Sequence, residues 1–171
     1  MRVVDFHFEV QALCGKHGRS TFSSGIEPLD AYLRRQAGQD AKRHVAAPFV
    51  LIEPPSDEVL GYYTLSSSAV DLSDLPDELA KKLPRYADLP VILMGRLTVD
   101  SRLWGRGLGE FLLMDALRQT AHNPIAAMAL IVDAKDQKAK SFYQHFDFIP
   151  LQKKPMRLFL PMTTIKKLFP V

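Results

Sequence analysis

A glycine-rich turn between a predicted strand and a predicted helix restricts the fold of this chain more than any other segment. Gly105, Gly107 and Gly109 stand at alternate positions, after an apolar run that ends at Val99. Beyond the turn, apolar residues recur at the spacing of an α-helix, and they are Phe111, Leu112, Leu113, Ala116 and Leu117. Glycine adopts positive φ and lets a ligand approach the backbone, and the N–H groups at a helix start attract anions. The segment therefore predicts a turn that binds phosphate or pyrophosphate, with a tight turn that binds nothing as the alternative.

Two common phosphate-binding motifs do not fit this spacing. A dinucleotide-binding fold requires G-x-G-x-x-G and an acidic residue about 20 residues later, whereas here the glycines follow G-x-G-x-G. A P-loop requires G-x-x-x-x-G-K-[ST], which the chain lacks. Both alternatives are therefore weak.

The length and composition describe one ordinary globular domain, which we expect to span residues 1–171. The 171 residues are 47% hydrophobic and 24% charged. The formal charge of +3 is compatible with a polyanionic partner without requiring one. The single Cys14 excludes an internal disulfide and suits a reducing compartment. No Cys/His spacing typical of zinc occurs, so we expect no metal.

The sequence predicts neither a targeting segment nor a membrane span. Residues 1–7 contain no apolar block of the kind found in signal peptides. No apolar stretch approaches the roughly 18 residues that a membrane-spanning helix needs. We therefore expect a soluble cytoplasmic protein.

The order of the predicted elements indicates a mixed α/β sheet with the glycine turn in its middle. Strands are predicted at 45–52, 59–65, 90–99, 126–132, 148–151 and 157–160, the last two as an antiparallel pair. Helices are predicted from the turn at 22–30 to about residue 37, at 77–82, at 107–121 and at 136–146.

The glycine turn and its surroundings resemble the cofactor-binding segment of the GNAT N-acetyltransferases. The strand, the turn, the next strand and the segment AKSFYQHFDF at 139–148 follow the order of that family. The family signature R/Q-x-x-G-x-G fits Trp104 to Gly109 with Trp in the first position, or Arg102 to Gly107 with every letter matched. We prefer the first placement because it puts Gly107 and Gly109 at the helix start. The resemblance implies the GNAT fold, a mixed and mostly antiparallel central sheet flanked by helices.

An ordered set of short motifs makes the resemblance more specific and extends it over about residues 20–165. The motifs are FSSG at 22–25, LDAYL at 29–33, GYYTLS at 61–66, LPRY at 83–86, PVIL at 90–93, GRLTVD at 95–100, VDAK at 132–135 and RLFLPM at 157–162. Together they are similar to the GNAT toxins of bacterial type II toxin–antitoxin modules. The resemblance implies transfer of an acetyl group from acetyl-CoA to the α-amino group of aminoacyl-tRNA, which stops translation. It also implies a homodimer and an antitoxin, usually with a ribbon-helix-helix domain, through which the toxin meets DNA only indirectly.

The resemblance assigns acetyl-CoA contacts to the strand, to the turn and to a later loop. The backbone edge of the strand at Leu97, Thr98 and Val99 would pair with the pantetheine arm, although core packing alone is the alternative for those side chains. The turn residues that would cradle the pyrophosphate are Trp104, Gly105, Arg106, Gly107, Leu108 and Gly109, with Arg106 adding positive charge. Ala134 and Asp136 are the remaining predicted cofactor contacts.

Tyr143 is the predicted catalytic residue, because the resemblance makes it the general acid that protonates the departing CoA thiolate. A thiol has a pKa of about 8.5 and a phenol a pKa of about 10, so a tyrosine placed beside the sulfur can donate its proton. The alternative is a half-buried aromatic side chain on an amphipathic helix, beside Phe142 and Phe146.

A general base is harder to find in the sequence. Acetylation of a lysine needs one, because a lysine pKa of about 10.4 keeps the amine protonated. The strand at 93–99 carries no Glu or Asp for this task. An α-amino group titrates near pH 8, roughly, and lower when its carboxyl is esterified, so the missing base mildly favours an α-amine acceptor. His145 and Asp100 remain the candidates for a base.

The chain departs from the family pattern at two positions. Trp104 replaces the usual Arg or Gln, which leaves open how that side chain meets the cofactor, although the turn works mostly through its backbone. Asp147 replaces the usual Gly before Phe148, at a helix C-terminal position that often has left-handed geometry. Asp tolerates that geometry better than most residues, so we expect a structural cost without a functional one.

Small groups of basic residues are candidates for tRNA contacts. Such groups are usually solvated surface, but phosphate-backbone binding would use several of them on one side of the acyl site. We select Lys42, Arg43 and Arg85 for this role. Arg96 lies inside an apolar strand and needs a partner if it is buried. Three roles stay open for it: contact with the antitoxin, contact with the substrate, or a purely structural role.

Three functions compete at this point. The first is the aminoacyl-tRNA acetyltransferase toxin. The second is a housekeeping GNAT enzyme that acetylates a protein N-terminus, a polyamine or a drug, and the basic charge balance argues against the acidic pocket that a polyamine or drug would want. The third is a non-catalytic module that binds CoA, for which the presence of Tyr143 gives no support.

Overall fold

The computed structural model describes residues 7–170. Residues 1–6, in which the sequence predicts no targeting segment, and Val171 lie outside the described residues. Within that range the strands are β1 (Glu9–Ala12), β2 (Ala47–Ile52), β3 (Gly61–Asp71), β4 (Asp88–Val99), β5 (Ala129–Asp133), β6 (Ile149–Pro150) and β7 (Arg157–Pro161). The helices are α1 (Glu27–Arg35), α2 (Ala37–Lys42), α3 (Asp77–Ala80), α4 (Leu108–His122), α5 (Gln137–His145) and α6 (Met162–Leu168). Short 3-10 turns occupy Leu72–Asp74 and Ser101–Leu103.

The strands form one mixed sheet in the order β1-β2-β3-β4-β5-β7-β6. The pairs β1–β2, β2–β3, β5–β7 and β6–β7 are antiparallel, and β4–β5 is parallel. The parallel register joins Ile92 to Leu130 and Met94 to Val132. This confirms the expected fold class, an α/β structure with a mixed, mostly antiparallel sheet.

The described chain divides into two compact units. The first contains the described residues up to Ser66 together with Gly95–Ala116, and the second contains Ser67–Met94 together with the described residues from Leu117. Each unit has its own apolar cluster. In the first unit the cluster consists of Phe22, Tyr32, Leu33, Ala37, Val50, Ile52, Val59 and Tyr62. In the second unit it consists of Val70, Leu75, Leu89, Val91, Ala129, Ile131, Leu151 and Phe159. The single domain over 1–171 stays a prediction.

The single helix predicted from the turn at 22–30 to about residue 37 is wrong in its extent, because the structure has two helices in this part of the chain, α1 and α2. Before α1, Gly25 has a φ of 82° and Ile26 is extended, and Asp30 accepts hydrogen bonds from the N–H of Ser24 at 2.9 Å and from its hydroxyl at 2.6 Å. Gln36 ends α1 and precedes α2, and its N–H donates to the carbonyl of Tyr32 at 2.9 Å. The apolar periodicity that predicted one helix does not mark the interruption at Gln36.

The predicted antiparallel pair near the C-terminal end is confirmed, with Ile149 opposite Phe159 in the register of β6 and β7. Three short elements were not predicted, namely β1, α2 and α6. Each has seven residues or fewer, too few for a period to stand out. No helix within residues 7–170 is long and apolar enough to cross a membrane.

Candidate active site

The glycine turn of the first unit joins the end of β4 to the start of α4. Gly105 and Gly107 have φ values of 79° and 77°, in the left-handed region that side chains disfavour. Among the described residues 7–170, no atom lies within 4 Å of a Cβ added to either glycine. Gly107 directly precedes α4 and Gly109 is its second residue, as the preferred placement of the signature predicts.

The start of α4 presents backbone donors. The N–H of Phe111 makes a helical hydrogen bond to the carbonyl of Gly107 at 3.1 Å. The N–H groups of the three residues before Phe111 have no acceptor inside the helix, because the i−4 carbonyls that would receive them precede the helix. Together with the helix dipole, these groups favour an anion at this end of α4.

Asp100 links the end of β4 to the turn and is fully buried. Its carboxylate accepts hydrogen bonds from Nε, Nη2 and the backbone N–H of Arg102 at 2.9, 2.9 and 3.0 Å, and from the N–H of Ser23 at 3.1 Å. Burial by itself raises the pKa of Asp100, but these hydrogen bonds outweigh it and hold the pKa below its usual value. A carboxylate so stabilised is a poor general base, so the structure argues against that candidate role.

Trp104 takes the first position of the signature and is anchored to the strand. Its indole N–H donates to the carbonyl of Val99 at 3.1 Å, while 62% of the residue is exposed. The ring thus lies at the surface beside the turn. Arg106, the next charged residue, has its guanidinium carbon 5.3 Å from the centre of the Phe8 ring.

The strand residues predicted to meet pantetheine lie in the last part of β4. Thr98 and Val99 are buried and Leu97 is half-buried. The parallel register with β5 ends at Met94, and β4 continues for five residues beyond it, to Val99. The side chains are packed, so a contact with pantetheine here would use the backbone.

Tyr143 belongs to the second unit, where α5 carries it in an aromatic cluster. Its ring centre lies 5.3 Å from that of Phe142 and 5.5 Å from that of Phe148, and only 7% of the residue is exposed. Burial raises the pKa of Tyr143 above that of an ordinary tyrosine. Its hydroxyl has no hydrogen-bond partner within residues 7–170. Every fully buried side-chain oxygen or nitrogen in that range has a partner, so the Tyr143 hydroxyl is not fully buried and reaches the surface. The phenol is therefore neutral and available to a ligand.

The loop before α5 holds the two other predicted cofactor residues. Asp136 caps α5 by accepting a hydrogen bond from the N–H of Ala139 at 2.7 Å. The N–H of Ala134 donates to the carbonyl of Met156 at 2.8 Å. The fold thus uses one polar group of each residue, so a cofactor contact would involve other atoms.

Comparisons with known proteins agree with this geometry. A family model described as an acetyltransferase (GNAT) domain matches residues 92–169. A tRNA-acetylating toxin of Mycobacterium tuberculosis is 36% identical over 151 residues, which cover 87% of this chain and 89% of that protein. The chain belongs to the GNAT acetyltransferase family. A probable toxin TacT of Sinorhizobium fredii is 27% identical over 162 residues, which cover 90% of each protein.

Solved structures of GNAT toxins have the same fold. A tyrosine-to-phenylalanine mutant of KacT has a TM-score of 0.90 and 28% identity, with 95% of this chain and 99% of that chain covered. AtaT complexed with acetyl-methionyl-tRNAfMet has a TM-score of 0.88 and 29% identity, with the same coverage. A mutant AtaT bound to acetyl-CoA and to the C-terminus of the antitoxin AtaR has a TM-score of 0.82 and 25% identity, with 96% and 99% covered. The resemblance to GNAT toxins is thereby confirmed.

The remaining candidates of this GNAT chain lie outside the turn and the aromatic cluster. His145 is the last residue of α5 and is exposed, two positions from the buried Tyr143 and therefore on another side of the helix. Lys42 and Arg43 are exposed at the end of α2 in the first unit. Arg85 is exposed in the second unit, in the lining of an open groove of about 740 Å³.

Two interactions of the first unit were not predicted from the sequence. The guanidinium carbon of Arg96 lies 3.4 Å from the centre of the Tyr32 ring, a cation–π contact that provides the partner this strand residue requires. Arg102 also reaches Glu58, with Nη2 3.1 Å from Oε1. Neither pairing could be predicted from neighbouring residues, because the two partners of each pair are far apart in the sequence. Among residues 7–170 no group of three His, Cys, Asp or Glu residues is placed to hold a metal ion.

Proposed function

We propose that this chain transfers the acetyl group of acetyl-CoA to the α-amino group of an aminoacyl-tRNA and so blocks translation. The observation that carries the proposal is the 36% identity to a tRNA-acetylating toxin over 87% of the chain. The solved relatives with acetyl-methionyl-tRNAfMet and with acetyl-CoA support the acceptor and the donor, respectively.

The glycine turn binds the diphosphate of acetyl-CoA. The glycines at positions 105 and 107 have no Cβ to block the approach of the phosphates to the backbone, and the first N–H groups of α4 donate to them. The backbone edge of Leu97, Thr98 and Val99 pairs with the amides of the pantetheine arm. Trp104, Arg106, Leu108, Gly109, Ala134 and Asp136 are the other proposed contacts with the cofactor.

Tyr143 acts as the general acid. The neutral amine of the acceptor attacks the thioester carbonyl, the C–S bond breaks, and the departing thiolate takes the proton of the Tyr143 hydroxyl. The acylated nitrogen loses its extra proton to solvent, and the Tyr143 phenolate regains a proton from solvent, which restores the phenol. The buried ring and the raised pKa keep that proton in place at neutral pH, and the hydroxyl has no competing partner within the described residues. Solved relatives with a tyrosine replaced by phenylalanine support a role for a tyrosine in this group of proteins.

We propose an α-amine as the acceptor, because within residues 7–170 neither of the two candidate bases is suited to that role. The pKa of Asp100 is lowered, and its oxygens already accept hydrogen bonds from Arg102 and Ser23. His145 lies on another side of α5 from Tyr143. An α-amine with an esterified carboxyl is largely neutral near pH 7–8, roughly, and reacts without a strong base, whereas a lysine does not.

Lys42, Arg43 and Arg85 bind the tRNA backbone. All three are exposed, and cations that neutralise phosphates release counterions and strengthen binding at low salt. An antitoxin binds this chain and neutralises it, as the complex of AtaT with AtaR supports. We further propose that this antitoxin has a ribbon-helix-helix domain, that the toxin is a homodimer, and that it acts in the cytoplasm, where charged tRNA and acetyl-CoA occur.

The test is incubation of the purified protein with labelled acetyl-CoA and a mixture of charged tRNAs, followed by detection of acetyl-aminoacyl-tRNA. We expect label in the aminoacyl ester bond and none on uncharged tRNA. Parallel reactions contain a peptide with a free N-terminus and a polyamine. Acetylation of these amines without acetylation of charged tRNA would replace the proposal with a housekeeping GNAT activity, and CoA binding without any transfer would leave a binding module.

A further inference from the structure

A buried carboxylate directly before the glycine turn is an unexpected neighbour for a diphosphate. Asp100 is fully buried, lies at the end of β4, and is followed five residues later by Gly105. A negative charge held in the protein near an anion site repels the ligand, because fewer water molecules screen it there. Its neutralisation is therefore a condition for binding a diphosphate at the turn.

Arg102 provides this neutralisation through a two-pronged contact. Its Nε and Nη2 atoms each lie 2.9 Å from a different oxygen of Asp100, the planar fork geometry that arginine makes with carboxylates. The same Nη2 lies 3.1 Å from Oε1 of Glu58, which also accepts the hydroxyl hydrogen bond of Thr21. Two carboxylates thus draw the guanidinium toward the protein.

These contacts argue against Arg102 as a phosphate ligand, the role that one placement of the family signature suggests. In the second placement of the signature, Arg102 is the first residue and a candidate phosphate ligand. In the structure two of its side-chain nitrogens bind carboxylates, and its backbone N–H closes the 3-10 turn by donating to Asp100 at 3.0 Å. Side chain and backbone therefore fix the segment that leads into Gly105.

We infer that Arg102 is a positioning residue for the diphosphate of acetyl-CoA, which acts by neutralising Asp100 and fixing the entry to the glycine turn rather than by binding phosphate. The inference rests on the proposed use of the turn for acetyl-CoA. It makes Asp100 and Arg102 one functional unit, so that removal of both charges is less harmful to cofactor binding than removal of the arginine alone.

The experiment is a double-mutant cycle with coenzyme A binding measured by calorimetry. Arg102→Met leaves Asp100 without its counter-ion, and we expect binding about tenfold weaker, an effect that one unpaired charge produces at the effective dielectric of a protein. Asp100→Asn combined with Arg102→Met removes both charges and is expected to bind within about threefold of wild type. A double variant as weak as Arg102→Met would overturn the inference, because a phosphate ligand is not rescued by loss of its partner.

A second donor distinguishes charge repulsion from general damage to the fold. Acetyl-pantetheine carries the thioester but no diphosphate. We expect kcat/KM with this donor to be equal in wild type and Arg102→Met, and kcat at saturating acetyl-CoA to change less than about threefold. Equal losses with both donors, or a loss in kcat without a change in KM, would overturn the inference.

Two further variants test the same inference if Arg102→Met does not fold. Arg102→Lys retains the charge without the fork, and we expect coenzyme A binding within about threefold of wild type. Asp100→Asn alone is expected to bind coenzyme A at least as tightly as wild type, and a tenfold weaker affinity in the folded variant would overturn the inference. Failure of the wild-type protein to bind coenzyme A would instead overturn the proposed function.

Discussion

The glycine turn and the Tyr143 helix differ in the surroundings that they give to their proposed functional groups. The turn is polar: it contains two glycines with positive φ, and an ion-paired network leads into them. Around Tyr143 the described contacts are aromatic rings, and the pKa shift of its phenol comes from burial alone. The contrast teaches that the proposed anion binding would rely on backbone donors and balanced charge, whereas the proposed proton donation would rely on an apolar setting that keeps the acid neutral.

The largest effect that tests this contrast is expected from Tyr143→Phe. Loss of the proton donor lowers kcat for acetyl transfer about 100-fold or more, while KM for acetyl-CoA stays unchanged, because the ring contacts remain. Steady-state kinetics with charged tRNA measures both constants. Tyr62→Phe, at a buried tyrosine of the first unit, is the matched control and keeps wild-type kcat. An unchanged kcat in Tyr143→Phe would remove Tyr143 from the mechanism.

The next largest effect belongs to the turn and has the opposite kinetic signature. Gly105→Ala and Gly107→Ala force a side chain into left-handed backbone, which costs about 1–2 kcal/mol, or shift the turn and its donors. We expect KM for acetyl-CoA to rise about tenfold with kcat nearly unchanged, since one charge-assisted hydrogen bond is worth about that factor. Gly15→Ala is the control, because its added methyl group also meets nothing within 4 Å but its φ is not positive. A normal KM in both turn variants would show that the backbone of the turn is not the binding site.

Stability, measured by urea unfolding, sharpens the difference between the two buried tyrosines. The Tyr62 hydroxyl donates to the carbonyl of Leu29 at 2.6 Å, whereas the Tyr143 hydroxyl has no partner within residues 7–170. Tyr62→Phe should therefore reduce the free energy of unfolding by about 1 kcal/mol, and Tyr143→Phe should leave it nearly unchanged. An equal loss in both variants would indicate that the Tyr143 hydroxyl is bonded in the folded protein.

The smallest effect concerns the pH dependence of stability, which has opposite signs in the two regions. The pKa of Asp100 is lowered, so the unfolded state binds a proton first and stability falls as the pH drops below about 4. The pKa of Tyr143 is raised, so the unfolded state loses its proton first and stability falls as the pH rises above about 10. Urea midpoints across pH should show a shallower acid slope in Asp100→Asn and a shallower alkaline slope in Tyr143→Phe, because other carboxyls and tyrosines with shifted pKa values also contribute to these slopes. The reverse assignment would contradict the contrast.

Much of the site was predictable because it depends on short-range rules. The spacing of Gly105 and Gly107 predicts a turn that needs positive φ, and helical periodicity predicts α4 and α5, which carry the turn and Tyr143. Asp147 at the end of α5 has a φ of 70°, as expected for its place in the family pattern. These features follow from residues within a few positions of one another, so the order of amino acids is sufficient to find them.

Other features depend on residues that are distant in the chain, and the sequence contained no signal for them. The candidate base Asp100 lost that role because Ser23 and Arg102 hold its carboxylate, and the unassigned Arg96 found its partner in Tyr32. Long-range pairing of charges and rings decides such roles.

By itself the amino-acid sequence determined the fold class, the glycine turn at the start of a helix, and the helix that bears Tyr143, since backbone conformation and periodic burial are local properties. Only the tertiary structure decided what surrounds these groups. It paired Arg102 with Asp100 and Glu58, it placed the Tyr143 ring among Phe142 and Phe148, and it left the tyrosine hydroxyl at the surface. The reason is physical: the charge state and accessibility of a side chain depend on its neighbours in space, and folding brings most of those neighbours from elsewhere in the chain.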